Sequence, residues 1–450
     1  MLNQLATLIQ SAADALFMPW VVGILLASGL FLTIRTGVVQ VRRFGEACRV
    51  ALVRRGTGEQ GALTPFQAFM TALAATIGTG NVAGVAAGIV SGGPGALFWI
   101  WCYGFFATSI KFSEAVLGMT FRSTRDGETG SGPMYYLRDG LRSPALAMTY
   151  AVVAGVAALT TTPFTQTNSI ALVWNTQLGV PKWATGVAVA VLTWLVIIGG
   201  IKSIGRAAAK LTPLKVVLYL ASGLFVIAWF APDIPSVLAL VFREAFSLRA
   251  GAGGTLGILI AMRYGLARGL YANEAGYGTA AVAYATAQST RPVQQGLNAV
   301  METFIVSFGT STITAMTVLL TGAYLSGQTS TAAVAMAFNS AIPAGIGGLI
   351  VVFCVFLFGY TTLIGWAFYG EEFLKYWLGP RVVMPYRWIY CLLIPFGAVT
   401  RVDVVWAWGD LMNALQIFPN IIGVLGLSGL VATIARDRAV TQQSTIHIPQ

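Results

Sequence analysis

Ile77-Gly78-Thr79-Gly80-Asn81-Val82-Ala83-Gly84 stands in the middle of an apolar stretch, Phe66 to Ser91, that is long enough to cross a bilayer. Each Gly in a helix interior costs about 1 kcal/mol against Ala, and Thr and Asn compete for backbone hydrogen bonds. The run therefore predicts a helix that unwinds at membrane depth, where irregular backbone survives only if protein buries it or it lines a cavity. Gly80 and Gly84, four apart, also fit a small-residue face for close helix packing, but that reading leaves Thr79 and Asn81 without a purpose. A broken helix offers free N–H groups where its second half begins and free carbonyls where its first half ends. The same break can therefore hold an anion and a cation. Amides at Thr79 to Asn81 suit a substrate carboxylate. Carbonyls near Ala75 and Thr76, helped by hydroxyls, suit a small hard cation such as sodium.

A second interruption, Gly269-Leu270-Tyr271-Ala272-Asn273-Glu274-Ala275-Gly276-Tyr277-Gly278, repeats the pattern. The uncharged amide of Asn273 is suited to substrate or cation, since it does not repel a carboxylate. Glu274, ionisable at membrane depth, is a functional candidate by default, and it also fits a structural role, paired with Arg268 or capping the half-helix that begins near Gly276. Two further stretches are polar at membrane depth. In Thr160-Thr161-Thr162-Pro163-Phe164-Thr165-Gln166-Thr167-Asn168-Ser169, Pro163 weakens the helix, Gln166 can contact a substrate amine or carboxylate, and Phe164 can close a pocket. An interhelical hydrogen-bond seam would use the same residue types. In Gly359-Tyr360-Thr361-Thr362-Leu363-Ile364-Gly365-Trp366, Thr362 and Trp366 share a helix face. The two Thr hydroxyls can complete a cation site and Trp366 can wall a pocket, or the hydroxyls can simply bond their own helix. Of the remaining charges, Lys111 and Glu114 are expected to pair at a cytoplasmic helix end, and Arg268 with Asp410 to form an external gate.

The elements that must carry these residues are membrane helices. Of the 450 residues, 56% are hydrophobic and only 10% charged, and the mean hydropathy is +0.74. Those values describe a polytopic membrane protein. The net charge of +11 comes from Lys and Arg in short loops and forms no aromatic-interleaved basic domain, so no nucleic-acid partner is expected. Cys48, Cys102, Cys354 and Cys391 are widely spaced and the one His, His447, is near the tail, which gives no metal cluster or disulfide framework. Met1 to Leu16 has no Lys or Arg, so no cleavable signal peptide is expected.

Counting apolar runs of about 20 residues gives about eleven spans. Arginines 35, 42, 43, 49, 54 and 55 follow the first, and alternate loops thereafter are basic, through Lys202, Arg206 and Lys210 to Arg436 and Arg438. The positive-inside rule then places the N-terminus outside and the C-terminus in the cytoplasm. The two interruptions lie five spans apart, as in an inverted repeat of five-helix halves. The expected organisation is an extra N-terminal span with its basic loop over 1–65, a first repeat over 66–230, an external loop over 231–254, a second repeat over 255–435 and a tail over 436–450. An intramembrane enzyme would need a nucleophile with its base or a metal cluster, and a channel would need a ring of filter residues. Neither pattern is present.

Thr71-Ala72-Leu73-Ala74-Ala75-Thr76-Ile77-Gly78-Thr79-Gly80-Asn81-Val82-Ala83-Gly84-Val85, with Gly132-Pro133-Met134-Tyr135-Tyr136, Asn273-Glu274-Ala275-Gly276 and Thr361-Thr362-Leu363-Ile364-Gly365-Trp366, resembles the alanine or glycine:cation symporter family. The likeness covers almost the whole chain. It implies an all-α, LeuT-like five-plus-five inverted repeat with one extra N-terminal helix, in the bacterial inner membrane. It further implies symport of alanine, glycine or another small zwitterion with sodium as coupling ion and no other cofactor. By position, the resemblance implies that Thr79 and Gly80 bind the substrate carboxylate, that Gln166 and Asn273 contact the substrate, and that Trp366 bounds its side chain. Ala75, Thr76, Asn81, Thr361 and Thr362 would form the sodium site. The run Thr162-Pro163-Phe164 departs from the Gly-containing pattern expected there.

Overall fold

The computed structural model describes residues 2–16, 20–53, 61–125, 128–248, 257–343 and 345–436. Arg54 and Arg55 of the first basic loop, the end of the external loop with Arg249, and Arg438 and His447 of the tail lie outside the described residues.

Along the chain the principal helices are α1 (Val22–Arg35), α2a (Pro65–Thr76) with α2b (Ala83–Gly92), α3 (Ala96–Thr120), α4 (Pro144–Leu178), α5 (Lys182–Ile197), α6 (Gly200–Trp229), α7a (Gly257–Asn273) with α7b (Thr279–Ala285), α8 (Pro292–Leu320), α9 (Ile346–Leu378), α10 (Val383–Val399) and α11 (Val402–Gly426). Each expected span has its helix. Among the described residues, five are long and apolar enough to cross a membrane singly, and two bent pairs also qualify: α2a with α2b, and α11 with the short helix Ser428–Arg436 that follows it. α1 and α5 are shorter apolar helices. α3 carries Lys111 and Glu114 within its length, and α7 is the second broken helix. A two-stranded antiparallel hairpin, Ser123–Arg125 with Glu128–Gly130, follows α3 and adds strand to an otherwise helical chain.

Local sequence explains the breaks. α2a starts at a capping box, in which Thr64 Oγ1 accepts from Gln67 N at 3.2 Å and Gln67 Oε1 accepts from Thr64 N at 3.1 Å, with Pro65 in the first turn. It stops at Thr76, passes through a tight turn at Thr79–Asn81, and resumes as α2b after a bend of 59°. α7a ends where Glu274, Gly276 and Gly278 all take positive φ, at 58°, 96° and 83°. Glycine adopts that conformation freely, whereas Glu274 must be held in it by its surroundings. α4 is interrupted at Thr161, just before Pro163.

The broken helices are enclosed chiefly by α3, α6, α8 and α9, and every residue from Ala68 to Ala86 is buried. α3 approaches α7b closely at Gly118, where an added Cβ would lie 2.5 Å from Ala281 Cα. Gly118→Ala is therefore expected to destabilise the fold by about 1–3 kcal/mol through overpacking, measured as a lowered unfolding temperature of the detergent-purified protein. An unchanged unfolding temperature would show that the two helices can part without cost.

Candidate substrate and cation site

The end of α2a leaves backbone carbonyls without helical partners, and two other helices and a side chain of the break itself satisfy them. Thr362 Oγ1 of α9 donates to Ala75 O at 2.8 Å and lies 3.1 Å from Ala74 O. Asn81 Nδ2 donates to Thr76 O at 3.0 Å. Lys215 Nζ of α6 donates to Ala74 O at 3.0 Å, Ile77 O at 2.6 Å and Thr361 Oγ1 at 2.5 Å. The carbonyl end of a half-helix carries partial negative charge, so an ammonium is electrostatically matched to it.

On the amide side of the same break, Gln166 Oε1 accepts from Thr79 N at 2.9 Å and from Thr79 Oγ1 at 3.0 Å. A side-chain carbonyl from α4 thus occupies the donors suited to a carboxylate. The second break is arranged differently. Glu114 Oε1 of α3 accepts from Gly276 N at 2.9 Å, Gly278 N at 3.1 Å and Asn420 Nδ2 at 2.7 Å. Its amides are already committed to a fixed carboxylate.

Between the breaks lies a small polar pocket whose lining includes Thr76, Gly78, Gly80, Gln166, Glu274 and Trp366, with Tyr271, Tyr277 and Asn413 among the other residues around it. Glu274 is buried, and its carboxylate accepts from Trp366 Nε1 at 2.7 Å and Thr279 Oγ1 at 3.0 Å. It does fasten the start of α7b through Thr279, as a structural role requires, yet it also faces the cavity. It does not pair with Arg268. That guanidinium stands 3.9 Å from Asp410 and 5.2 Å from the Trp406 ring, whose own centroid is 5.0 Å from that of Tyr271. The expected Arg268–Asp410 contact is present.

The residues singled out by sequence divide into groups. Ala75, Thr76, Gly80, Gln166, Thr362 and Trp366 line the cavity, and Thr79 joins them through Gln166. Asn81 forms a separate buried cluster. Its Nδ2 reaches Ala272 O at 3.3 Å as well as Thr76 O, while Thr310 and Ser311 hydroxyls donate to its Oδ1 at 3.3 and 3.2 Å. Thr361 belongs to the Lys215 cluster. Asn273 is turned away from the cavity wall, accepting from Ala275 N at 3.0 Å and donating to Ser307 Oγ at 3.3 Å. Phe164 is half-buried and outside the lining, its backbone pressed against Gly397. Most hydroxyls of the Thr160 to Ser169 run bond carbonyls of their own helix four residues earlier.

The expected Lys111–Glu114 pair is not formed. Lys111 Nζ instead meets Glu302 Oε1 of α8 at 2.5 Å, because Glu114 is drawn to the amides of the second break. Sequence reasoning passed over Lys215, Asn413 and Asn420, and gave Glu114 the wrong partner. Their signal was available, since each is a polar or ionisable residue inside an apolar span, and such residues are functional or paired by default.

Two helix breaks meeting at a polar pocket inside a helical membrane bundle define a secondary transporter of the inverted-repeat type. The chain belongs to the sodium:alanine symporter family, whose model matches residues 2–447. It is 36% identical over 437 residues to the sodium/alanine symporter AgcS of Methanococcus maripaludis, covering 95% of this chain and 96% of the relative. An uncharacterized transporter of Haemophilus influenzae is 35% identical over 419 residues, covering 92% of each chain. Among solved structures, MhsT in complex with L-phenylalanine matches with a TM-score of 0.59 at 12% identity, covering 84% of this chain and 99% of that one. That likeness is one of fold, and it agrees with the LeuT-like arrangement. The protein is accordingly a multi-pass membrane transporter and not an enzyme.

Proposed function

We propose that this protein carries alanine, and glycine as a smaller homologue, into the cell together with sodium, by alternating access across the bacterial inner membrane. The observation that carries this reading is the placement of the cavity. It has the donor-rich first break on one side and the buried Glu274 carboxylate in its wall. A zwitterion presents the complementary pair of charges. The substrate carboxylate takes the Thr79 and Gly80 backbone as Gln166 yields its place, and the ammonium is held by Glu274. Trp366, Tyr271 and Tyr277 leave room for a small side chain only.

Sodium is held at the Asn81 cluster. A half-turn of the Asn81 amide presents Oδ1 beside Thr76 O and Ala272 O, an all-oxygen set suited to a hard cation. Thr310 and Ser311 tolerate either orientation, because a hydroxyl both donates and accepts. Spans two to six and seven to eleven act as the two repeats, with the N-terminus outside and the C-terminus in the cytoplasm, as the basic loops require.

The test is radiolabelled alanine and glycine uptake by proteoliposomes under an inward sodium gradient, against potassium and proton gradients. Sodium-driven accumulation above the external concentration is expected, and equal uptake in potassium would refute coupling to sodium. Glu274→Gln keeps the Trp366 contact and removes the charge. It is expected to raise the half-saturating alanine concentration at least about tenfold, given that a charge-assisted hydrogen bond contributes about 1.5–3 kcal/mol. Unaltered alanine affinity in that variant would place the ammonium elsewhere.

A further inference from the structure

The hydroxyl pair of α9 and the carbonyl end of α2a form the kind of oxygen cluster that takes a small cation, yet a side chain already stands there. Lys215 is fully buried, and its Nζ donates to Ala74 O, Ile77 O and Thr361 Oγ1 within 3.0 Å. Thr361 Oγ1 gives its own hydrogen to Phe358 O at 3.2 Å, so it accepts from the lysine and does not donate to it. Three accepted bonds require three N–H donors, which only the charged ammonium supplies. Among the described residues no carboxylate pairs with it. Its neighbours are two carbonyls, a hydroxyl and the Phe358 ring, whose centroid is 5.3 Å away. That is how a protein surrounds an unpaired cation: oxygens in the first layer, an aromatic face beyond, and the negative end of a half-helix beneath.

We propose that Lys215 is a resident cation that takes the place of a metal ion at this cluster, so that sodium binds at the Asn81 cluster alone and one sodium ion accompanies each alanine. Lys215 is a positioning residue. It fixes the end of α2a to α6 and α9 with a charge that never leaves, while the ion at Asn81 comes and goes with substrate. The two clusters share α2a but no ligand atom: Ala74 O and Ile77 O serve Lys215, whereas Thr76 O serves Asn81.

This inference rests on the sodium-coupled reading, so the experiment separates the two. Full-length protein in liposomes is first shown to accumulate alanine on a sodium gradient, and failure at that step is failure of that reading. Paired fluxes of radioactive sodium and alanine are then compared. Wild-type protein is expected to move one sodium per alanine with a hyperbolic dependence on sodium, and a ratio of two would overturn the proposal. Lys215→Ala uncovers the three oxygens, and for variant protein that elutes as a single folded species a second sodium is expected to enter. Radioactive sodium bound to the purified variant should then rise from one ion to two, with a sigmoidal sodium dependence. A merely structural lysine would leave the count at one, and that result would also overturn the proposal. Should Lys215→Ala not fold, the wild-type flux ratio decides.

Discussion

Lys111→Met or Glu302→Gln is expected to destabilise the protein by about 3–5 kcal/mol, because each leaves a fully buried partner uncompensated. Both side chains are at most 1% exposed, and their 2.5 Å contact is the centre of a cluster joining four helices. Thr76 Oγ1 of α2a donates to Glu302 Oε1 at 2.5 Å, and Tyr284 of α7b donates to Oε2 at 2.8 Å. Lys111 also reaches Thr76 Oγ1 at 3.1 Å. The cluster thus ties both broken helices to α3 and α8. The measurement is the unfolding temperature of each purified variant, with the double variant Lys111→Met/Glu302→Met as comparison. Removing both charges is expected to recover part of the loss, since a matched apolar replacement of a buried pair is often neutral. Single variants as stable as the wild type would show that water reaches the cluster.

Gly78→Ala is expected to reduce alanine uptake about 100-fold while leaving the fold intact, the effect of a site displaced by about 1 Å. The backbone at Gly78 is extended, with φ −108° and ψ −166°, so alanine adopts it without strain. Space is the obstacle. An added Cβ would lie 2.7 Å from Thr362 Oγ1 and 2.9 Å from Gln166 Oε1. Either Gln166 leaves the Thr79 amide or Thr362 leaves the carbonyls of α2a, and each movement falls in the cavity wall. Gly23→Ala on α1, where nothing stands within 4 Å, is the control and should transport as the wild type does. Equal uptake by Gly78→Ala and Gly23→Ala would remove the first break from the substrate path.

The helix breaks were legible because their cause is local. Glycine, threonine and asparagine at Gly78 to Asn81 weaken a helix wherever it is placed, and so does Pro163. Apolar length fixed the spans, and the distance between the two interruptions suggested the repeat. Side-chain partnership was less legible. Lys111 and Glu114, three residues apart, share a helix face and invited pairing, but the carboxylate satisfies amides of Gly276 and Gly278 from a distant segment. Glu302, which takes its place, lies 191 residues from Lys111 along the chain.

By itself, then, the sequence determined a helical membrane transporter with two broken helices and a polar run in each of α4 and α9. Those features follow from hydropathy and backbone propensity, which act over a few turns of chain. Only the tertiary structure decided which polar groups satisfy which ends of the breaks. It gave Glu114 to the second break, Gln166 to the amides of the first, Asn81 to one of its carbonyls and Lys215 to two others. The physical reason is that a buried polar atom must find a partner wherever packing puts one, and packing brings together residues that no local pattern relates.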